Sequence, residues 1–131
     1  MTSILLVEDH PIMRPTLRDI LKLEGYTVVT AVNGEEALCY LEDSPTDLVI
    51  TDFEMPVMNG LDLLRALRSN ARYAQLPVVI FTATTDPDVC DAALSAGVDA
   101  FLIRPITPQD LFDTVRRLLA EREDEDRAST L

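Results

Sequence analysis

The sequence predicts a doubly wound α/β domain built on a parallel sheet, and three features carry that prediction. Short apolar runs fall at 4–7, 27–32, 47–51, 77–82 and 98–103. The segments between them repeat apolar residues at helical spacing. All four glycines stand where one kind of segment gives way to the other. Five strands, each followed by a helix, make a repeated βα unit. Parallel strands need crossover helices, and right-handed crossovers cover both faces of the sheet. The expected product is the flavodoxin-like arrangement with strand order 2-1-3-4-5.

The elements follow in order. Ile4-Leu5-Leu6-Val7 is the first strand, and Met13, Leu17, Ile20 and Leu21 share one face of the first helix. Pro15 lies in the opening turns of that helix and predicts a late start or a bend. Gly25 stops it, and Gly34 opens a second helix whose stripe is Ala37, Leu38 and Leu41. The third apolar run, Leu48-Val49-Ile50-Thr51, ends on Asp52, and Gly60 opens a helix with Leu61, Leu64 and Leu67 on one side. The fourth run ends on Thr82. A helix from Asp88 to Ala96 follows, with Val89, Ala92 and Ala93 on one face and Gly97 at its end. The fifth run leads to Arg104-Pro105. Thr107-Pro108-Gln109-Asp110 then supplies an N-cap, a proline at the first helical position and an acid in the first turn. Leu111, Val115, Leu118 and Leu119 form the last stripe. Residues 1–122 read as one domain, with 123–131 as a frayed tail and no linker, repeat or second domain.

Composition narrows the function classes. A chain of 131 residues with 47% hydrophobic content folds as one globular domain and is not disordered. The net charge of −12, from 11 basic against 23 acidic residues, opposes direct binding to nucleic acid or an anionic membrane. Part of that charge is the run from Glu121 to Asp126, which reads as a solvated helix end. Cys39 and Cys90 have no metal-site spacing and read as buried or half-buried thiols of a reducing compartment. The first apolar run is too short for a signal peptide and no stretch approaches a membrane span, so the expected location is cytoplasmic.

In an open parallel sheet, ligands bind beyond the carboxyl ends of the strands, near the point where strand order reverses. Strands 1 and 3 flank that point in the 2-1-3-4-5 order, and their ends carry Glu8, Asp9 and Asp52. Strand 4 ends in Thr82 and strand 5 in Arg104. Three adjacent carboxylates repel one another, and a hard divalent cation such as Mg²⁺ relieves the repulsion. Asp9, Asp52 and a backbone carbonyl just beyond Asp52 would hold the ion. The metal, the Thr82 hydroxyl and Arg104 would then meet the oxygens of a phosphoryl group approaching Asp52, the carboxylate nucleophile. Taken singly, Glu8-Asp9 is also a helix-capping pair, Thr82 a strand-end threonine and Arg104 a surface cation; their joint placement on one rim favours the chemical reading. His10 reads as the residue before Pro11 at a helix entrance, and Met55 and Met58 as loop packing.

These residues, in this order, resemble the receiver domain of bacterial two-component response regulators over roughly residues 2–121. The resemblance rests on Val7-Glu8-Asp9, on Asp52-Phe53-Glu54-Met55-Pro56-Val57-Met58-Asn59-Gly60, on Thr82-Ala83, and on Gly97-Val98-Asp99-Ala100-Phe101-Leu102 leading to Arg104-Pro105. It implies a flavodoxin-like fold and transfer of a phosphoryl group from a phosphohistidine to an aspartate. By position, Asp52 matches the phosphoacceptor, Glu8 and Asp9 the acidic pair, and the Glu54 carbonyl the third Mg²⁺ ligand. Thr82 matches the switch hydroxyl and Phe101 the switch aromatic, while Glu54 and Thr84 hold the positions that tune phosphoryl lifetime. The implied partners are a sensor histidine kinase or phosphotransfer protein, and a downstream effector or a fused output domain. No turnover is expected beyond self-phosphorylation and autodephosphorylation.

Two departures stand out. Arg104 replaces the family's lysine before a cis proline; arginine keeps the charge but is a planar fork on a longer stem. The alternative reading is therefore a pseudo-receiver interaction module in which phosphorylation is weakly coupled to switching. The fourth helix carries no Lys or Arg, and Thr114 stands where the OmpR-like branch has arginine, which argues against that branch's dimer and for a monomer or weak dimer. Arg116 and Arg117 on the last helix remain available to a partner. A phosphatase of the haloacid dehalogenase type would want a second aspartate two residues after the nucleophile, where Glu54 stands, and a cap domain for which the chain lacks length.

Overall fold

The computed structural model describes residues 2–129. Its elements are β1 (Ser3–Val7), α1 (Met13–Leu23), β2 (Thr27–Ala31), α2 (Gly34–Asp43), β3 (Leu48–Asp52), α3 (Gly60–Arg68), β4 (Val78–Thr82), α4 (Pro87–Ser95), β5 (Ala100–Ile103) and α5 (Pro108–Ser129). All strand pairs are parallel and the sheet order is β2-β1-β3-β4-β5, as the alternation of strands and helices predicts. The fold is flavodoxin-like.

The continuous apolar runs have a direct cause. Successive side chains in a strand point to opposite faces, and both faces here are covered. Leu5 and Val7 of β1, Val49 of β3 and Val78 and Ile80 of β4 pack on one side with Ala37, Leu41, Leu63, Leu64, Leu67 and Ala93 of α2, α3 and α4. Ile4, Leu6, Leu48, Ile50, Val79 and Phe81 face the other way, against Leu21 of α1 and Leu111, Val115 and Leu118 of α5. Burying one such side chain contributes about 1.5–3 kcal/mol, so each strand is held from two sides.

Register places the functional ends in line. Val7 pairs with Thr51, Asp52 with Phe81 and Thr82 with Ile103. Caps fix the helix starts: the Asn33 side chain accepts from Glu36 N–H and the Asn59 side chain from Asp62 N–H, each at 2.8 Å. Thr107 Oγ1 accepts from Asp110 N–H at 3.1 Å, as expected for the opening of α5. Gly60 has a second role, because a Cβ there would stand 2.5 Å from the Asp52 carbonyl oxygen.

Two expectations are corrected. Helix α1 neither starts late nor needs a bend at Pro15: it opens at Met13, so the missing proline N–H falls among first-turn donors that have no intrahelical partner anyway. Its entrance is held by His10, whose Nδ1 accepts from Ile12 and Met13 N–H at 3.1 and 3.2 Å. Cys39 is exposed, because α2 buries Gly34, Ala37 and Leu41 and Cys39 lies off that face; Cys90 is half-buried. Helix α5 spans Pro108–Ser129. No glycine or proline interrupts it, and Arg122 Nη1 donates to the Asp47 carbonyl at 2.6 Å. Of the expected frayed tail, Thr130 and Leu131 lie outside the described residues. Among the described residues, no helix is long and apolar enough to cross a membrane.

Candidate phosphoryl-transfer site

At the carboxyl end of the sheet, β1 delivers Glu8 and Asp9 and β3 ends on Asp52. One carboxylate oxygen from each lies within 4.8 Å of the others. Glu8 is 1% exposed and Asp52 8%, while Asp9 is exposed to solvent. Burial is the main reason that Glu8 is pushed up to about 7, and the neighbouring Asp52 charge adds to it. Burial also raises Asp52, against the pull of Arg104. Three oxygen donors this close, two of them proton-hungry, are a set suited to a hard divalent cation.

Arg104 supplies the only cation in direct ionic contact with this trio among the described residues. Its Nη2 lies 3.2 Å from Glu8 Oε2 and 3.5 Å from Asp52 Oδ2. The guanidinium carbon sits 4.7 Å from the centroid of the Phe81 ring. The Arg104 N–H donates to the Thr82 carbonyl at 2.8 Å, and the Arg104–Pro105 bond is cis. Backbone donors add to the neutralisation: His10 N–H donates to Glu8 Oε1 at 3.2 Å and Glu54 N–H to Asp52 Oδ1 at 3.3 Å.

The remaining sequence candidates are placed as follows. Thr82 is buried at the end of β4, and its hydroxyl accepts from Thr84 N–H at 3.1 Å. Phe101 is half-buried in β5, paired in register with Ile80, and packs against the α2–α4 side of the core. It is therefore set back from the acids. Glu54 is exposed in the loop after β3. That loop contains a tight turn in which Met58 N–H donates to the Pro56 carbonyl at 2.7 Å and Val57 takes a φ of 69°. A β-branched residue at positive φ is strained.

Sequence reasoning missed two participants, and one contact of a third. Phe81 floors the Arg104 guanidinium, and only its parity in β4 hinted at its face. Arg14 Nη1 donates to the carbonyls of Glu8 and Asp9 at 3.3 and 3.2 Å, bracing the loop that carries both acids. His10 stands at the helix entrance as its sequence context predicts, and its backbone N–H adds a bond to Glu8 that the sequence did not disclose.

Known proteins agree with this architecture. A family model described as the response regulator receiver domain matches residues 4–116. The chain is 36% identical to the chemotaxis protein CheY of Pseudomonas aeruginosa, covering 88% of this chain and 94% of that protein. It is 38% identical to the gliding motility regulatory protein of Myxococcus xanthus over 77% of this chain, but spans only 13% of that protein. It covers 52% of the DNA-binding response regulator MtrA of Mycolicibacterium smegmatis, at 34% identity and over 93% of this chain. Among solved structures, the receiver domain of a signal transduction histidine kinase from Syntrophus aciditrophicus superposes with a TM-score of 0.87 at 35% identity over 92% of each chain. The receiver domain of the sensor histidine kinase PA1611 from Pseudomonas aeruginosa, whose structure has a magnesium ion coordinated in its active-site cleft, superposes with a TM-score of 0.84 at 26% identity, covering 91% of this chain and 98% of that one. With that match to the fold, the acidic rim and the family model together, the chain belongs to the response regulator receiver domains of two-component systems.

Proposed function

We propose that Asp52 accepts a phosphoryl group from a phosphohistidine on a sensor histidine kinase or phosphotransfer protein. The observation that carries this reading is the buried Asp52 carboxylate, 3.5 Å from the Arg104 guanidinium, on a rim shared with Glu8 and Asp9. An Asp52 oxygen forms the new O–P bond as the N–P bond breaks, and the electron pair of that bond stays on the departing imidazole nitrogen. Glu8, Asp9, Asp52 and the Glu54 carbonyl would hold Mg²⁺, which when bound supplies charge stabilisation to the phosphoryl oxygens. Arg104 offers a second cation, and Thr82 a hydroxyl at the adjacent strand end. Burial of Glu8 and Asp52 keeps water from competing for their oxygens.

The switching step of this reading runs through Thr82 and Phe101 to the β4–α4 and β5 surface, where a downstream effector or output domain would dock. The domain acts in the cytoplasm as a monomer or weak dimer. Incubation with Mg²⁺ and acetyl phosphate, followed by intact-mass measurement, tests the acceptor. The expected result is one phosphoryl adduct on the wild type and none on Asp52→Asn; an adduct that persists in Asp52→Asn overturns it.

A second reading is favoured by the ion pairs themselves. Arg104 already engages Glu8 and Asp52, as it would in a module whose rim is locked and whose output does not depend on phosphate. Saturation with beryllofluoride and Mg²⁺ separates the two. Shifted NMR signals at Thr82 and Phe101 support the switch, whereas signals shifted at Asp52 alone support the locked module.

A further inference from the structure

We infer that Phe81 is a positioning residue that adapts this site to an arginine, its ring holding the Arg104 guanidinium in the plane from which it reaches the acceptor carboxylate. The inference rests on the acceptor reading and adds a residue and a cause to it.

Two features of the fold bring the ring and the cation together. The backbone of Phe81 is tied to the acceptor strand: it pairs in register with Asp52, and its carbonyl accepts from Phe53 N–H at 2.9 Å. Its side chain turns to the α1–α5 side of the sheet and is 3% exposed, packed with Leu6, Ile50 and Leu111. The ring is therefore held by packing in which Arg104 takes no part. Arg104 enters from the end of β5, its N–H bound to the neighbouring Thr82 carbonyl at 2.8 Å, and lays its guanidinium 4.7 Å from the ring centroid.

The cation–π contact has a geometric consequence. A guanidinium held over a ring by its central carbon keeps N–H donors free for oxygens. Here the Nη2 edge meets Glu8 and Asp52, while among the described residues Nη1 and Nε donate to no protein acceptor. Met13, Leu17, Phe81, Arg104, Pro105 and Ile106 line one cleft, so the cation has an apolar side and an acidic side. An arginine side chain has many rotamers, and the ring selects those that keep the fork over Asp52. A lysine, whose ammonium is a compact point charge, has no such dependence on a planar platform.

The test is a double-mutant cycle of Phe81→Leu and Arg104→Lys, read by the rate of label uptake from acetyl phosphate at saturating Mg²⁺. Phe81→Leu should slow uptake about five-fold when residue 104 is arginine and under about two-fold when it is lysine, the difference being what the ring contributes to an arginine beyond what it gives a lysine. The altered packing is common to both backgrounds and cancels. NMR of the Arg104 side chain should show a ring-current displacement in the wild type that Phe81→Leu abolishes. Equal slowing in both backgrounds, or no slowing in either, overturns the inference. If the wild type takes up no label, the acceptor reading falls and the Arg104 resonances decide. A wild-type displacement accompanied by an Arg104 side chain that becomes rotamer-averaged in Phe81→Leu upholds the positioning role, and a side chain equally ordered in both overturns it.

Discussion

Two arginines at opposite ends of the sheet make the most instructive contrast in this molecule. Arg68, at the end of α3, is saturated. Its Nε donates to the Gly97 carbonyl at 3.1 Å, its Nη1 to the Tyr73 and Leu76 carbonyls at 3.2 and 2.8 Å, and its Nη2 to Asp99 at 2.7 Å. Asp99 in turn accepts from Val78 N–H at 2.8 Å. One cation meets one carboxylate and three carbonyls, and every partner is a structural joint between α3, β4 and β5. Arg104 faces the opposite balance, with one guanidinium against two buried acids and an exposed third. A saturated arginine stabilises the fold. An arginine outnumbered by carboxylates marks a site built to receive further positive charge and oxygen ligands.

The largest expected effect breaks the contrast at its chemical end. Asp52→Asn should remove all phosphoryl uptake by intact mass while leaving the protein folded and raising its melting temperature, because it removes a buried charge. Next, Arg68→Ala should cost about 2 kcal/mol in urea unfolding, since it takes a donor from three carbonyls and the cationic partner from a part-exposed Asp99, yet leave uptake within about two-fold of wild type. Loss of uptake equal to that of Asp52→Asn would erase the distinction between the two arginines.

A pH effect comes third. Folded Glu8 titrates at about 7 against an ordinary value of 4.5. Between those values the folded state holds a proton that the unfolded chain has released. The metal-free protein should therefore lose stability through this group as pH rises from about 4.5 to 7, on the order of 2 kcal/mol. Urea melts in chelator at pH 5 and pH 8 would measure it against Glu8→Gln, which should lack that part of the slope; identical slopes would show that Glu8 is not raised. The smallest effect concerns the loop beside the site. Val57→Asn should stabilise by about 1 kcal/mol, because asparagine tolerates positive φ where valine does not. An unchanged urea midpoint would place the strain elsewhere.

The sequence disclosed most of this where the signal is local. Strands buried on both faces leave continuous apolar runs, and each rim acid directly follows or ends one of them, so Glu8, Asp9 and Asp52 are readable along the chain. The strand order follows from the alternation of elements. Contacts between distant residues are not written in any run. Arg104 and Glu8 are 96 positions apart, and Arg68 and Asp99 are 31 apart. Nothing in the spacing separates a clasp from a reactive cation. Phe81 looks like one more strand residue until its neighbour across the sheet end is known. Cys39 was misjudged because a thiol is usually buried, while the buried stripe of α2 simply passes it by.

The span between Glu8 and Arg104 bears on how the protein is made. The acids of β1 and β3 emerge from the ribosome well before the cation at the end of β5. Until then Glu8 and Asp52 have no arginine between them, and β4 lacks its outer neighbour. The charge balance of the rim is therefore completed only by the last strand of the sheet, so the two buried carboxylates are the part of the fold that waits longest for its partner.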